Sequence, residues 1–196
     1  LPDVRQGVAL PVTALMSSTV VAATLAATAR LLATGLEPLQ AMWMPLVTAS
    51  AMITMIVGSL LAATQRNLKR AFAGAGIANI GFVLSGLVAV DSGGLGAIAF
   101  SLLVVTLLNL GVYGALSLFA APESTSVTID DFLGLGRRQP FIALGFASLL
   151  LGLAALPPTG GFAARLWLAE VALEGSTLLA GTLVVNTLIA AYLCLR

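Results

Sequence analysis

The sequence predicts an all-α protein that crosses a membrane several times, and three observations support this class. Of its 196 residues, 59% are hydrophobic and only 9% are charged, whereas an ordinary soluble domain has about 25% charged residues. Long uncharged stretches separate the charges, with lengths near the ~20 residues that a membrane-spanning helix needs. None of these stretches alternates polar and apolar residues as a membrane barrel strand does. We therefore expect a polytopic helical protein.

Six transmembrane helices are predicted from six uncharged stretches, which in chain order are 6–29, 38–65, 71–90, 92–122, 139–164 and 175–195. The helices are expected near 8–33, 41–64, 67–89, 95–119, 139–173 and 176–195. A tight turn at Asp91, Gly93 and Gly94 joins the third helix to the fourth, and a polar loop at 122–138 precedes the fifth. Because the chain starts at Leu1 without a methionine, we expect one transmembrane domain from a longer protein.

The distribution of basic residues predicts the orientation of these helices. If the first helix starts on one side, that side receives Arg5, Arg66, Lys69, Arg70, Arg137, Arg138 and Arg196. Only Arg30 falls on the other side. Lys and Arg accumulate in cytoplasmic loops, so the basic side is predicted to be cytoplasmic, or to face the matrix in an organelle.

The fifth helix is predicted to be discontinuous at 157–161, where Pro157 and Pro158 are followed by Thr159, Gly160 and Gly161. Two prolines remove two backbone donors and clash with the preceding turn. Broken helices in membrane transporters mark ion or substrate paths. A kink that serves only helix packing is the alternative.

Arg165 follows the break closely and is predicted to lie near the middle of the membrane, roughly 12 Å before the end of its helix at 1.5 Å per residue. A charge at that depth is costly and usually functional, although a long side chain can also extend toward the interface. Thr106, Asn109 and Tyr113 share one face of the fourth helix, and Asn79 lies in the third. Such groups serve helix contacts as often as transport, but together they can line a hydrated path.

Several functions are excluded by composition. The chain has no histidine and a single cysteine, Cys194, so we expect no metal site, no cofactor, no redox centre and no catalytic centre within it. The net charge of +1 with no long basic run argues against a nucleic-acid partner.

The order of motifs resembles the antiporter-like, proton-translocating membrane subunits of respiratory complex I, and most closely their subunit N branch. The similar stretches cover the whole chain: LPDV and PVTA within 1–14, QRNLKR at 65–70, IANIGF at 77–82, NLG at 109–111, DDFLGLGRR at 130–138 and LPPTGGF at 156–162.

This resemblance implies helices eight to thirteen of a fourteen-helix subunit, including its second inverted repeat. It implies a multi-pass protein of a bacterial inner membrane that contacts the lipid bilayer and other membrane-arm subunits. Quinone and NADH would be handled only through those other subunits. The activity implied is proton translocation coupled to quinone reduction elsewhere in the complex.

The family's proton path in this half uses a lysine, a histidine and a lysine, and the matching positions hold Val21, Asn79 and Arg165. Valine and asparagine do not titrate, and arginine keeps its proton in proteins. Lys69 is retained at the cytoplasmic end of the third helix, where it would serve proton entry or structure.

Three functions remain open from the sequence. Protons can pass through water beside Asn79, Thr106, Asn109 and Tyr113, with Arg165 as a fixed positive barrier. Alternatively, this half is a structural link without pumping, or the chain belongs to a cation/proton antiporter or a membrane-bound hydrogenase of the same fold.

Overall fold

The computed structural model describes residues 10–65, 67–119 and 139–195, and every element in this part of the chain is helical. The predicted loop at 122–138, Arg5, Arg66, Arg137, Arg138 and Arg196 lie outside the described residues. The α-helices are α1 (Leu10–Leu15), α2 (Val21–Arg30), α3 (Gln40–Thr64), α4 (Leu68–Ser85), α5 (Leu95–Phe119), α6 (Pro140–Leu153), α7 (Gly160–Gly175) and α8 (Thr177–Leu195).

Among the described residues, four helical segments are long and apolar enough to cross a membrane: Pro11–Gly35, Glu37–Thr64, Arg70–Val88 and Leu95–Leu118. The first joins α1 and α2 through a π-helical turn, Met16–Val20, and a second π-helical turn, Leu31–Gly35, follows α2. Pro140–Leu153 and Thr177–Tyr192 are shorter apolar helices. Large apolar side chains such as Phe141, 88% exposed, cover the outer faces, as expected of helices that contact lipid. The protein is therefore a multi-pass, all-helical membrane protein.

Helices α3 and α4 pack at the closest distance that two backbones allow. A Cβ atom added to Gly58 would lie 2.3 Å from the Ala78 nitrogen, and one added to Gly74 would lie 2.7 Å from the Ala62 nitrogen. Small residues allow this approach between membrane helices. Next to the contact, Met55, Phe82, Leu168 and Leu183 belong to a buried cluster that joins α3, α4, α7 and α8.

The break between α6 and α7 spans 154–159, whereas the sequence analysis placed it at 157–161. In a continuous helix the nitrogen at position 157 would donate to the carbonyl of Leu153. Proline has no N–H and its ring clashes with that carbonyl, so the helix ends four residues before Pro157, at Leu153. The disruption therefore begins one turn earlier than the prolines themselves.

Two caps define the ends of the break. At the end of α6, the nitrogen of Ala155 donates to the Gly152 oxygen at 3.1 Å and the nitrogen of Leu156 donates to the Leu151 oxygen at 3.2 Å. This is the Schellman pattern, with Ala155 at φ 53° where glycine is usual. At the start of α7, the Thr159 hydroxyl accepts from the nitrogen of Phe162. Each half-helix therefore has capping hydrogen bonds at the break.

Candidate functional site

Arg165 lies on α7 between the break and helix α4, and its contacts define the site. Its Nη2 donates to the backbone oxygen of Leu153 at 2.8 Å and to Oδ1 of Asn79 at 3.4 Å. Its Cζ lies 4.6 Å from the centroid of the Phe82 ring, in cation–π range. The guanidinium thus bridges the end of α6 and one face of α4.

The Leu153 carbonyl is available because Pro157 cannot donate to it. The last carbonyls of a helix carry partial negative charge, so the end of α6 is a favourable neighbour for a cation. Arg165 occupies this position. The double proline and the arginine are therefore two parts of one arrangement, in which a side-chain donor replaces a missing backbone donor.

The contact with Arg165 also fixes the orientation of the Asn79 amide. Arginine can only donate hydrogen bonds, so the amide atom facing Nη2 is the carbonyl oxygen. Asn79 is 7% exposed, and its NH₂ group remains available to donate elsewhere. Neither residue can take up a proton and release it near neutral pH.

Asn79 and Arg165 line a small cavity, named here the arginine cavity. It offers about 20 Å³ of room to water, and its polar lining residues are Asn79, Ser101 and Arg165. About 10–15 Å³ is enough for one water molecule. The remaining lining residues, among them Val83, Val105 and Gly161, are apolar.

A second cavity, named here the asparagine cavity, is also lined by Asn79. It also offers about 20 Å³ and is lined by Val21 together with a polar set of Ser17, Ser18, Asn79, Thr106 and Asn109. Val83 and Val105 line both cavities. The two cavities therefore share Asn79 and two valines as lining residues.

A third cavity of about 40 Å³ is lined by Ser59, Asn79, Arg165 and apolar residues of α3, α4 and α8. Next to it, the hydroxyl of Ser59 donates to Oδ1 of the buried Asn186. This hydrogen bond joins α3 to α8, so polar groups continue from the arginine toward the last helix.

The structure brings together four of the residues predicted from the sequence: Arg165, Asn79, Thr106 and Asn109. Tyr113 does not line the arginine cavity or the asparagine cavity. It lies in an apolar cluster with Val112, Leu116 and Leu153, where its ring makes an edge contact with Phe72. Lys69 is in the first turn of α4. Pro157 and Pro158 lie in the break, and Gly160 and Gly161 form the first turn of α7.

Sequence reasoning missed several polar groups of the site. Ser101 lies two turns before Asn109 on α5, at positions that share one helix face, and this spacing was a signal for it. The hydroxyls of Ser17 and Ser18 donate to carbonyls of their own helix. The signal for the Leu153 carbonyl is Pro157, which cannot donate to the carbonyl four residues before it.

Comparison with known proteins decides the family. The family model described as "NADH:quinone oxidoreductase/Mrp antiporter, TM" matches residues 1–190. The chain belongs to this family. Relatives within it include the protein named NADH-quinone oxidoreductase subunit N of Rhodococcus opacus, 36% identical over all of this chain and 36% of that relative. The protein of the same name from Chloroflexus aggregans is 39% identical over all of this chain and 40% of its own length.

Solved structures agree with this membership. A chain of respiratory complex I from Thermus thermophilus with bound aureothin superposes with a TM-score of 0.83 at 29% identity, over 99% of this chain and 42% of that one. A chain of an archaeal membrane-bound sulfane sulfur reductase superposes with a TM-score of 0.85 at 24% identity, over 100% and 40%, which shows the shared fold. The chain thus spans about two fifths of the length of the proteins it matches.

Proposed function

We propose that this chain is part of a membrane-arm subunit of a proton-translocating NADH-quinone oxidoreductase, corresponding to subunit N. Family membership and the names of the relatives support this proposal. The observation that carries it is the Arg165 guanidinium, held between a broken helix and Asn79 beside cavities that are large enough for water.

The proposal includes a topology. The chain contributes six transmembrane helices, with α6 and α7 as the halves of the discontinuous fifth, and forms the second inverted repeat with the helix before it. The membrane is the inner membrane of a bacterium, and the basic segments around Lys69, Arg137 and Arg138 face the cytoplasm. The positive-inside bias of the sequence supports this orientation.

In this mechanism protons cross on water rather than on titrating side chains. Water beside Thr106 and Asn109 approaches Asn79 from the asparagine cavity, while Arg165 is a fixed positive charge that is hydrogen-bonded to Asn79. A fixed cation in a pore opposes proton passage. Changes in a neighbouring subunit that alter the field at Arg165 therefore raise or lower this barrier.

The partners follow from the same proposal. The chain contacts lipid and other membrane-arm subunits, and quinone and NADH are handled by other subunits of the complex. The chain itself supplies no cofactor, and its contribution to the reaction is to position charge and water.

The test is proton pumping by the parent complex in proteoliposomes, measured as protons moved per NADH oxidised. We expect Arg165→Lys to preserve or raise this ratio, because lysine keeps the charge and can lose its proton when desolvated. Arg165→Ala removes a charged hydrogen bond worth about 1.5–3 kcal/mol and should reduce assembly or coupling. Arg30→Ala, at an exposed arginine that ends α2, is the matched control.

A structural link without pumping is the second candidate. It is favoured by the three contacts that hold Arg165 at Leu153, Asn79 and Phe82, since a locked cation needs no proton cycle. Unchanged pumping in both Arg165 variants would reject a proton path beside Arg165 and would leave the structural link as the function. A subunit of a cation/proton antiporter or a membrane-bound hydrogenase has the same fold. The sequence that precedes Leu1 in the parent gene would distinguish such a subunit from subunit N.

A further inference from the structure

Ser101 differs from the other buried serines in how its hydroxyl is used. In a membrane helix a serine hydroxyl commonly donates to a carbonyl of its own preceding turn. The hydroxyl of the buried Ser85 does so, donating to the Phe82 oxygen at 2.6 Å, and the buried Ser17 and Ser18 bond in the same way. Ser101 Oγ is fully buried and makes no hydrogen bond to any described residue.

The position of Ser101 indicates what its hydroxyl binds. Ser101 is 2% exposed and lines the arginine cavity together with Asn79 and Arg165. A buried hydroxyl without a partner costs about 1–3 kcal/mol, and this cost is removed when a water bridges it to other polar groups. An internal water needs two to four polar partners and at least about 10–15 Å³ of room. The arginine cavity meets both requirements.

We propose that the arginine cavity binds one ordered water molecule, which Ser101 Oγ holds against the Arg165 side chain. Ser101 is then a positioning residue for the arginine, acting through this water. The proposal deepens the proposed function and rests on it only for the effect on pumping, because the binding of the water is a separate property.

The chemistry of the lining explains why Ser101 matters. Arg165 only donates hydrogen bonds, and the Asn79 oxygen already accepts from it. Ser101 can both donate and accept, so a water between the two residues can accept from Arg165 and donate to Ser101 Oγ. The water thereby gives the guanidinium a further hydrogen-bond partner.

The test is a cryo-EM map of the parent complex at a resolution that shows waters, recorded for the wild type and for Ser101→Ala. We expect density within hydrogen-bond distance of Ser101 Oγ and of the Arg165 guanidinium, and its loss in Ser101→Ala. Ser85→Ala is the matched control, because Ser85 is equally buried but bonds within its own helix; it should retain the density. Density that survives Ser101→Ala, or a wild-type map without it, overturns the proposal.

Two further measurements separate this role from packing and from another ligand. Ser101→Thr keeps the hydroxyl, and Ser101→Val introduces a side chain of nearly the same shape as threonine but without the hydroxyl. Only Ser101→Thr should therefore retain the density and wild-type pumping. Equal density in the two variants contradicts the proposal. Density that strengthens when bromide replaces chloride identifies an anion and also contradicts it. If the density follows the hydroxyl while pumping does not change, the water site stands and the proton path is rejected.

Discussion

At the scale of single residues, the Arg165 guanidinium takes the position that a backbone N–H would fill in an unbroken helix. Its bond to the Leu153 oxygen at 2.8 Å is shorter than its bond to Asn79 at 3.4 Å. The carbonyl is therefore the stronger of the two contacts. Asn79 contributes the longer hydrogen bond to the guanidinium and lines both cavities.

We expect Asn79→Leu to destabilise the site by about 1–3 kcal/mol, because it leaves a buried donor of Arg165 with one acceptor fewer. Asn109→Leu is the matched control, since Asn109 is equally buried at 7% exposure and contacts the same asparagine cavity without a bond to Arg165. The measurement is the temperature at which the parent complex loses half of its assembled form. Equal losses in both variants would contradict the role assigned to Asn79.

The charged centre and Asn79 were predicted from sequence, whereas the contact of Arg165 with the Leu153 carbonyl was not. Arg165 stands out because a cation in an apolar stretch is rare, and Asn79 was found through its place in a motif. The Leu153 oxygen became a partner only through the register of Pro157, and Tyr113 shares a face with Asn109 by spacing yet packs among apolar groups. Periodicity identifies one side of a helix but not which neighbour faces it.

At the scale of helices, the two halves of the broken helix touch through their glycines. A Cβ atom on Gly161 would lie 1.9 Å from the oxygen of Gly152, so α7 packs directly on the end of α6. Gly160, its neighbour, has only Val104 nearby, at 3.7 Å. Gly161 therefore has no room for a side chain, whereas the adjacent Gly160 does.

We expect Gly161→Ala to destabilise the chain by about 3 kcal/mol, since overpacking against backbone cannot be relieved by a side-chain shift. Gly160→Ala should be neutral or slightly stabilising, because alanine is the better helix former and its Cβ would make ordinary contacts. The yield of assembled parent complex measures both variants. A result in which Gly160→Ala is the more harmful one would refute the packing described for the break.

The break itself was predicted from sequence, but its start was placed at the prolines rather than four residues before them. Pro157 cannot donate to the carbonyl of Leu153 and ends α6 there, and a Schellman cap with Ala155 follows. An alanine at φ 53° is unusual, so no residue preference marked this position. The first turn of α7 instead has a recognisable cap in Thr159.

At the scale of the whole molecule, the described helices divide into a tight pair and a looser set around it. Helices α3 and α4 meet through Gly58, Gly74 and Gly81, each with backbone atoms or a buried side chain within 3 Å of an added Cβ. Gly114 and Gly181 have nothing within 4 Å. Glycine thus has two different uses in this chain.

Gly58→Ala should cost about 1–3 kcal/mol, because the added methyl group would force α3 away from α4. Gly181→Ala, on an exposed face of α8, is the matched control and should be stabilising by up to about 1 kcal/mol through helix propensity. Thermal retention of the assembled complex compares the two substitutions. Similar behaviour of both would show that the glycine contacts do not hold the pair.

The close contact of α3 and α4 has a mechanical consequence. Because α3 and α4 contact each other backbone to backbone, they cannot slide past each other without a collision. We therefore expect Ser59 on α3 and Asn79 on α4 to move together. The half-helices α6 and α7 are short and are joined by residues 154–159, and Arg165 lies on α7 close to this junction. A displacement of α7 relative to the pair of α3 and α4 would therefore change the distance between Arg165 and Asn79.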